Sequence, residues 1–104
     1  MAANFEAIKD EARRYANEVR HHLPVDKVYL FGSYAKGTAD ELSDVDICFF
    51  LRDYEGKERV DMGIHLLRIA RNYTAYFEPH VFETAELERK NPFVNEIIQT
   101  GQEI

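Results

Sequence analysis

Gly32-Ser33-Tyr-Ala-Lys36-Gly37-Thr-Ala-Asp-Glu-Leu-Ser43-Asp44-Val-Asp46-Ile-Cys-Phe-Phe-Leu51 is the stretch whose reading decides the fold. Its second half, Asp44 to Leu51, opens with two carboxylates and runs on as unbroken apolar sequence. A strand that is apolar at every position, without alternation, is covered on both faces. Its first half follows another short β-type run, Val28-Tyr-Leu-Phe31, which Gly32-Ser33 ends. Residues 34–43 between the two strands are small, polar and turn-like.

The flanking sequence supplies helices. Phe5, Ile8, Ala12, Tyr15 and Val19 make an apolar stripe at helical spacing over 4–22, and Pro24 stops that helix. Asp53 to Gly56 read as a turn. Residues 58–73 give a second helix with Met62, Leu66, Ile69, Ala70 and Tyr73 on one face and Ile64 and Leu67 beside it. Thr74 to Phe82 is aromatic and extended, and Pro79 favours an edge because it has no N–H for a ladder. Thr84 is placed to cap a short helix over 85–90. Asn91-Pro92 is a helix start, and Gly101 closes the helix that follows. The expected fold is α/β, a small mixed sheet flanked by helices, in one domain spanning 1–104.

Gly32 allows the backbone to come close to a ligand because it has no side chain. Ser33 adds a hydroxyl and an N–H at the opening of a helical turn, an arrangement suited to phosphate. Asp44 and Asp46, two residues apart on a strand, put both carboxylates on one face. Adjacent like charges are costly unless neutralised, and divalent metals with a preference for hard oxygen donors, Mg²⁺ above all, neutralise them. Two such ions clamp the attacking and leaving oxygens of an in-line phosphoryl displacement. Either half alone reads as ordinary turn or loop chemistry. Together they place a phosphate cradle and a metal platform at the mouth of a buried strand.

A Gly-Ser pair, ten residues and Asp-x-Asp resemble the signature of the nucleotidyltransferase fold shared with DNA polymerase β-like enzymes. The Gly-Ser-x-Ala-Lys-Gly form is similar to that of minimal nucleotidyltransferases. Glu78-Pro-His-Val-Phe82 and Asn91-Pro-Phe-x-x-Glu-Ile-Ile-x-Thr-Gly101 extend the resemblance over most of the chain. The resemblance implies that Gly32 and Ser33 contact the triphosphate of ATP, and that Asp44 and Asp46 hold Mg²⁺. It also implies a third carboxylate on the neighbouring strand, a metal ligand or base. Glu78 takes that position, where relatives commonly carry Asp. Lys36, in place of a frequent Arg, is expected at a phosphate as a point charge.

Composition narrows the function. Hydrophobic residues make up 45%, including seven Phe and six Tyr, which is enough for a core and excludes a disordered chain. The formal net charge of −6, with no Lys/Arg stripe, argues against a nucleic-acid-binding module. A single cysteine allows no internal disulfide and fits a reducing compartment. No apolar run approaches the roughly 20 residues of a membrane helix, and the first residues lack a signal-peptide pattern. A cytoplasmic protein with no membrane or direct nucleic-acid partner is expected.

Other candidates have plainer readings. His80 shares a strand face with Glu78, where it is either a proton carrier, a nucleotide contact or a packed side chain. His21 and His22 suit a helix C-terminus. Cys48 reads as core, and His65 has no evident partner. The resemblance finally implies a function: many minimal nucleotidyltransferases are antitoxins paired with a HEPN-domain ribonuclease toxin, and transfer AMP from ATP onto a tyrosine of the toxin. The alternatives are transfer to a small molecule, or an antitoxin that acts by binding alone.

Overall fold

The computed structural model describes residues 5–37, 44–53, 59–89 and 91–104. The elements in chain order are α1 (Phe5–His22), β1 (Val25–Phe31), α2 (Ser33–Lys36), β2 (Val45–Leu51), α3 (Arg59–Ala70), β3 (Phe77–Glu83), a 3₁₀ turn (Thr84–Leu87), α4 (Pro92–Thr100) and β4 (Gln102–Glu103). The sheet order is β3-β2-β1-β4. β1 is antiparallel to β2 and to β4, whereas β2 and β3 are parallel. A parallel pair cannot be joined by a tight turn, and α3 lies in the crossover between them. The expected mixed sheet flanked by helices is what forms. The ends of three expected elements, residue 4 of the first helix, 54–56 of the turn and 90 of the short helix, lie outside the described residues, as do 38–43 and 58.

β2 shows why its sequence is apolar throughout. Ile47, Phe49 and Leu51 point into one core with Ala12, Tyr15, Ala16 and Val19 of α1 and Leu66, Ile69 and Ala70 of α3. Cys48 and Phe50 point the other way, into a smaller core with Tyr29, Val94 and Ile97. Both faces of the strand are therefore covered, one by α1 and α3 and the other by α4. The larger core holds a buried polar contact: the Tyr15 hydroxyl donates to the Leu66 carbonyl at 2.7 Å. Burial pushes that phenol's pKa well up, so it stays a neutral donor.

α4 begins as the sequence predicts. The Asn91 side chain accepts from Phe93 N at 3.0 Å and Val94 N at 3.4 Å, with Pro92 in the first turn. Thr84 does not cap a helix. Glu83 precedes the 3₁₀ turn without a side-chain cap, and the Thr84 hydroxyl donates to Asp26 Oδ2 at 2.5 Å instead. Asp26 also accepts from Arg52 at 2.6 Å, which ties the ends of β1, β2 and β3 together. β1 starts at Val25, ahead of the apolar run, because a register shift after Val25 keeps it paired to Leu51.

Candidate active site

The site forms where the ends of three strands meet. Phe31 at the end of β1 pairs with Asp46 at the start of β2, and Asp46 pairs in turn with Glu78 of β3. Cys48 pairs with His80, and Phe50 with Phe82. Because strand side chains alternate, Asp46 and Glu78 share the face of Cys48 and Phe50, the side covered by α4. Parallel, in-register pairing is what sets a carboxylate on β3 beside a carboxylate on β2.

Gly32 then turns the chain away from β1 at φ +73° and ψ −149°, a region that only glycine enters readily. A side chain there meets a second obstacle. A Cβ on Gly32 would overlap Oδ2 of Asp46 and lie 3.1 Å from its Cγ. The Gly32 backbone and the Asp46 carboxylate are therefore in immediate contact, which joins the two halves of the motif in space. Ser33 opens α2, and Gly37 ends it in the left-handed conformation.

Donor atoms of Asp46, Glu78 and His80 lie within 4.8 Å of one another. His80 Nε2 is 3.5 Å from Asp46 Oδ1. That nitrogen is buried and has no hydrogen-bond partner. The Glu78 carboxyl is held above its ordinary pKa, first by desolvation and then by repulsion from Asp46, with His80 opposing and Asp44 adding to the rise. Asp44 stands one residue ahead of β2, exposed, and outside the three-residue cluster. Two carboxylates that resist joint ionisation, a ring nitrogen lacking a partner and a backbone cradle with no room for a Cβ fit a divalent cation with phosphate beside it.

Lys36 goes elsewhere. Its ammonium lies 3.5 Å from Glu96 Oε1 of α4. The pair borders a pocket of about 190 Å³ lined by Phe31, Gly32, Phe93, Ile97 and Thr100 as well. The rings of Phe31 and Phe93 stand edge to face, 6.0 Å apart. Phe31 also meets the His80 ring at 5.0 Å. Thus the fold brings Gly32, Asp46 and Glu78 together, leaves Asp44 at the rim and directs Lys36 to a carboxylate. Phe93 and Glu96 belong to the C-terminal stretch that carries the resemblance, but the sequence assigns them no role, because an apolar and an acidic residue on an amphipathic helix carry no signal of their own. The remaining histidines lie apart, with His22 and His65 rings 5.8 Å from each other.

The nucleotidyltransferase domain family matches this chain over residues 12–100. A protein of Methanocaldococcus jannaschii named "putative protein adenylyltransferase" is 31% identical over 81 residues, which are 77% of this chain and 79% of that one. The crystal structure of a "putative nucleotidyltransferase" from Sulfolobus solfataricus superposes with a TM-score of 0.60 at 26% identity, covering 77% of this chain and 70% of that one. A crystal structure of a toxin–antitoxin with AMP-PNP gives a TM-score of 0.52 at 19% identity, over 97% of this chain and 72% of the other, a likeness of fold.

Proposed function

We propose, on the premise that this chain belongs to the nucleotidyltransferase domain family, that it transfers AMP from ATP to a hydroxyl of a partner protein. The observation that carries the reading is the contact of Gly32 with Asp46, and of Asp46 with Glu78 across the sheet. It puts a close-approach backbone beside paired carboxylates, the two parts that a nucleoside triphosphate with its cation requires. The relative named as a protein adenylyltransferase supports a protein acceptor. The fold shared with a toxin–antitoxin structure supports a toxin as that acceptor, and we take it to be a tyrosine of a HEPN ribonuclease.

In this reading Gly32 and Ser33 receive the triphosphate, and Asp44, Asp46 and Glu78 hold Mg²⁺. The bound cation supplies charge neutralisation on the phosphates and on the leaving pyrophosphate. Glu78, set beside Asp46 by the β2–β3 pairing, accepts the acceptor hydroxyl's proton. The hydroxyl oxygen then bonds to the α-phosphorus, the bond from that phosphorus to the bridging oxygen breaks, and pyrophosphate leaves. The nucleoside occupies the pocket beside Gly32, against Phe31 and Phe93. Lys36 and Glu96 lie at its border, so Lys36 reaches a phosphate by leaving the Glu96 carboxylate.

ATP labelled at the α- or the γ-phosphorus separates the possibilities. AMP transfer labels the co-purified partner from the α position alone and releases pyrophosphate. Label from the γ position would mean phosphoryl transfer and would overturn the reading.

A further inference from the structure

Among the described residues, the buried side-chain polar atom left without a hydrogen bond is His80 Nε2. It belongs to β3, two residues from Glu78 on the same face, and opposite Cys48 in the register. The ring is held on one side by the edge-to-face contact with Phe31 and faces Phe93 at 6.4 Å. That packing points Nε2 at Asp46 and shuts out solvent, yet at 3.5 Å no hydrogen bond forms. A buried nitrogen without a partner is destabilising until something takes its lone pair. The same nitrogen lies within 4.8 Å of a donor oxygen on Asp46 and another on Glu78. Three donors around an octahedral ion with bonds of about 2.1 Å stand roughly 3–4.2 Å apart, so a small contraction closes the set on one cation.

We propose that His80 Nε2 is a direct ligand of the divalent cation at Asp46 and Glu78, and that it biases this centre toward Mn²⁺ or Co²⁺ over Mg²⁺. The inference rests on the metal-binding part of the proposed function. Mg²⁺ favours oxygen donors and retains its waters, whereas imidazole suits later divalent ions and affinity climbs along the series from Mn²⁺. Replacing one oxygen of the site by nitrogen therefore costs Mg²⁺ more than it costs Mn²⁺. His80 also sets the ion deep in the site: β3 carries it further along the strand than Glu78, toward the core of Cys48 and Phe50. Asp44, at the rim, is left to a second ion or to the triphosphate's own cation.

Mn²⁺ is both the candidate ion and a spectroscopic probe, so the test needs no turnover. With the full chain, Mn²⁺ and a non-hydrolysable ATP analogue, electron spin-echo modulation is predicted to show a directly bound nitrogen. The signal should change with ¹⁵N-histidine labelling of the unaltered protein and vanish in His80→Gln. His80→Gln should lose about tenfold or more in Mn²⁺ affinity while Mg²⁺ affinity moves much less. Mn²⁺ that binds in an Asp46-dependent way with no nitrogen coupling would overturn the role of His80 and leave the metal site standing. Mn²⁺ binding indifferent to Asp46→Asn would overturn both.

Discussion

Replacing Gly32 by alanine tests whether the phosphate-side backbone and the metal-side carboxylate are one unit. At φ +73° and ψ −149° an alanine carries a backbone penalty of about 1–3 kcal/mol. Its Cβ also overlaps the Asp46 carboxylate, which yields only by leaving its rotamer, about 0.5–1.5 kcal/mol more. The expected loss is about 2–4 kcal/mol, or a fall in Tm of about 10–20 °C for a chain of this size. Thermal unfolding followed by circular dichroism measures it. A double-mutant cycle with Asp46→Ala isolates the contact, since alanine at 46 removes the atoms that collide. Gly32→Ala should then cost less in the Asp46→Ala background by the collision share alone. Equal costs in both backgrounds, or a loss under about 1 kcal/mol, would refute the contact on which the site is built.

Four further outcomes are expected. Asp44→Asn with Asp46→Asn should abolish the Mg²⁺ dependence of ATP binding measured by calorimetry, while the circular dichroism spectrum stays that of the parent. Glu78→Gln should cut the transfer rate by about 10²–10⁴ and leave the fold intact. In chelator the same variant has a pH signature. The raised Glu78 pKa means that its protonated form is the favoured one, so the stability it brings is present below the ordinary carboxylate range and lost as pH rises through the raised value. Metal-free Glu78→Gln should therefore melt slightly above the parent at neutral pH, with the gap closing below about pH 4; the side chain is exposed, so the gap is small. Asn91→Ala should destabilise by about 1 kcal/mol in denaturant titration, through loss of the cap on Phe93 N and Val94 N.

What the sequence discloses is what depends on local pattern or on a short span. Ile47 to Leu51 reads as a doubly covered strand because burial on two faces erases alternation, and the structure divides those side chains between two cores. Asn91-Pro92 reads as a helix start because cap chemistry lies within four residues. Gly32 and Asp46 stand in one motif, and the fold brings them into contact. The hidden features are those settled by partners far along the chain. Lys36 meets Glu96, and Thr84 meets Asp26. β4 pairs only Gln102 and Glu103 with β1, too few residues for any periodicity. His80 showed its strand face in the sequence, but its buried, unpartnered nitrogen follows from the ring packing on Phe31. Asp44, placed by spacing on a strand with Asp46, falls just outside β2, a shift of the size at which strand ends are set by pairing rather than by pattern.

The central claim is that this chain adds AMP to a partner protein, and the partner's intact mass tests it most directly. The chain is co-purified with the partner proposed above, incubated with ATP and Mg²⁺, and the partner is weighed by mass spectrometry beside the Asp44→Asn, Asp46→Asn variant. The account predicts a gain of one or more AMP units, placed by fragmentation on a tyrosine and missing with the variant. A partner whose mass never changes, yet is bound and silenced equally well by the variant, would contradict it and leave an antitoxin that works by binding alone.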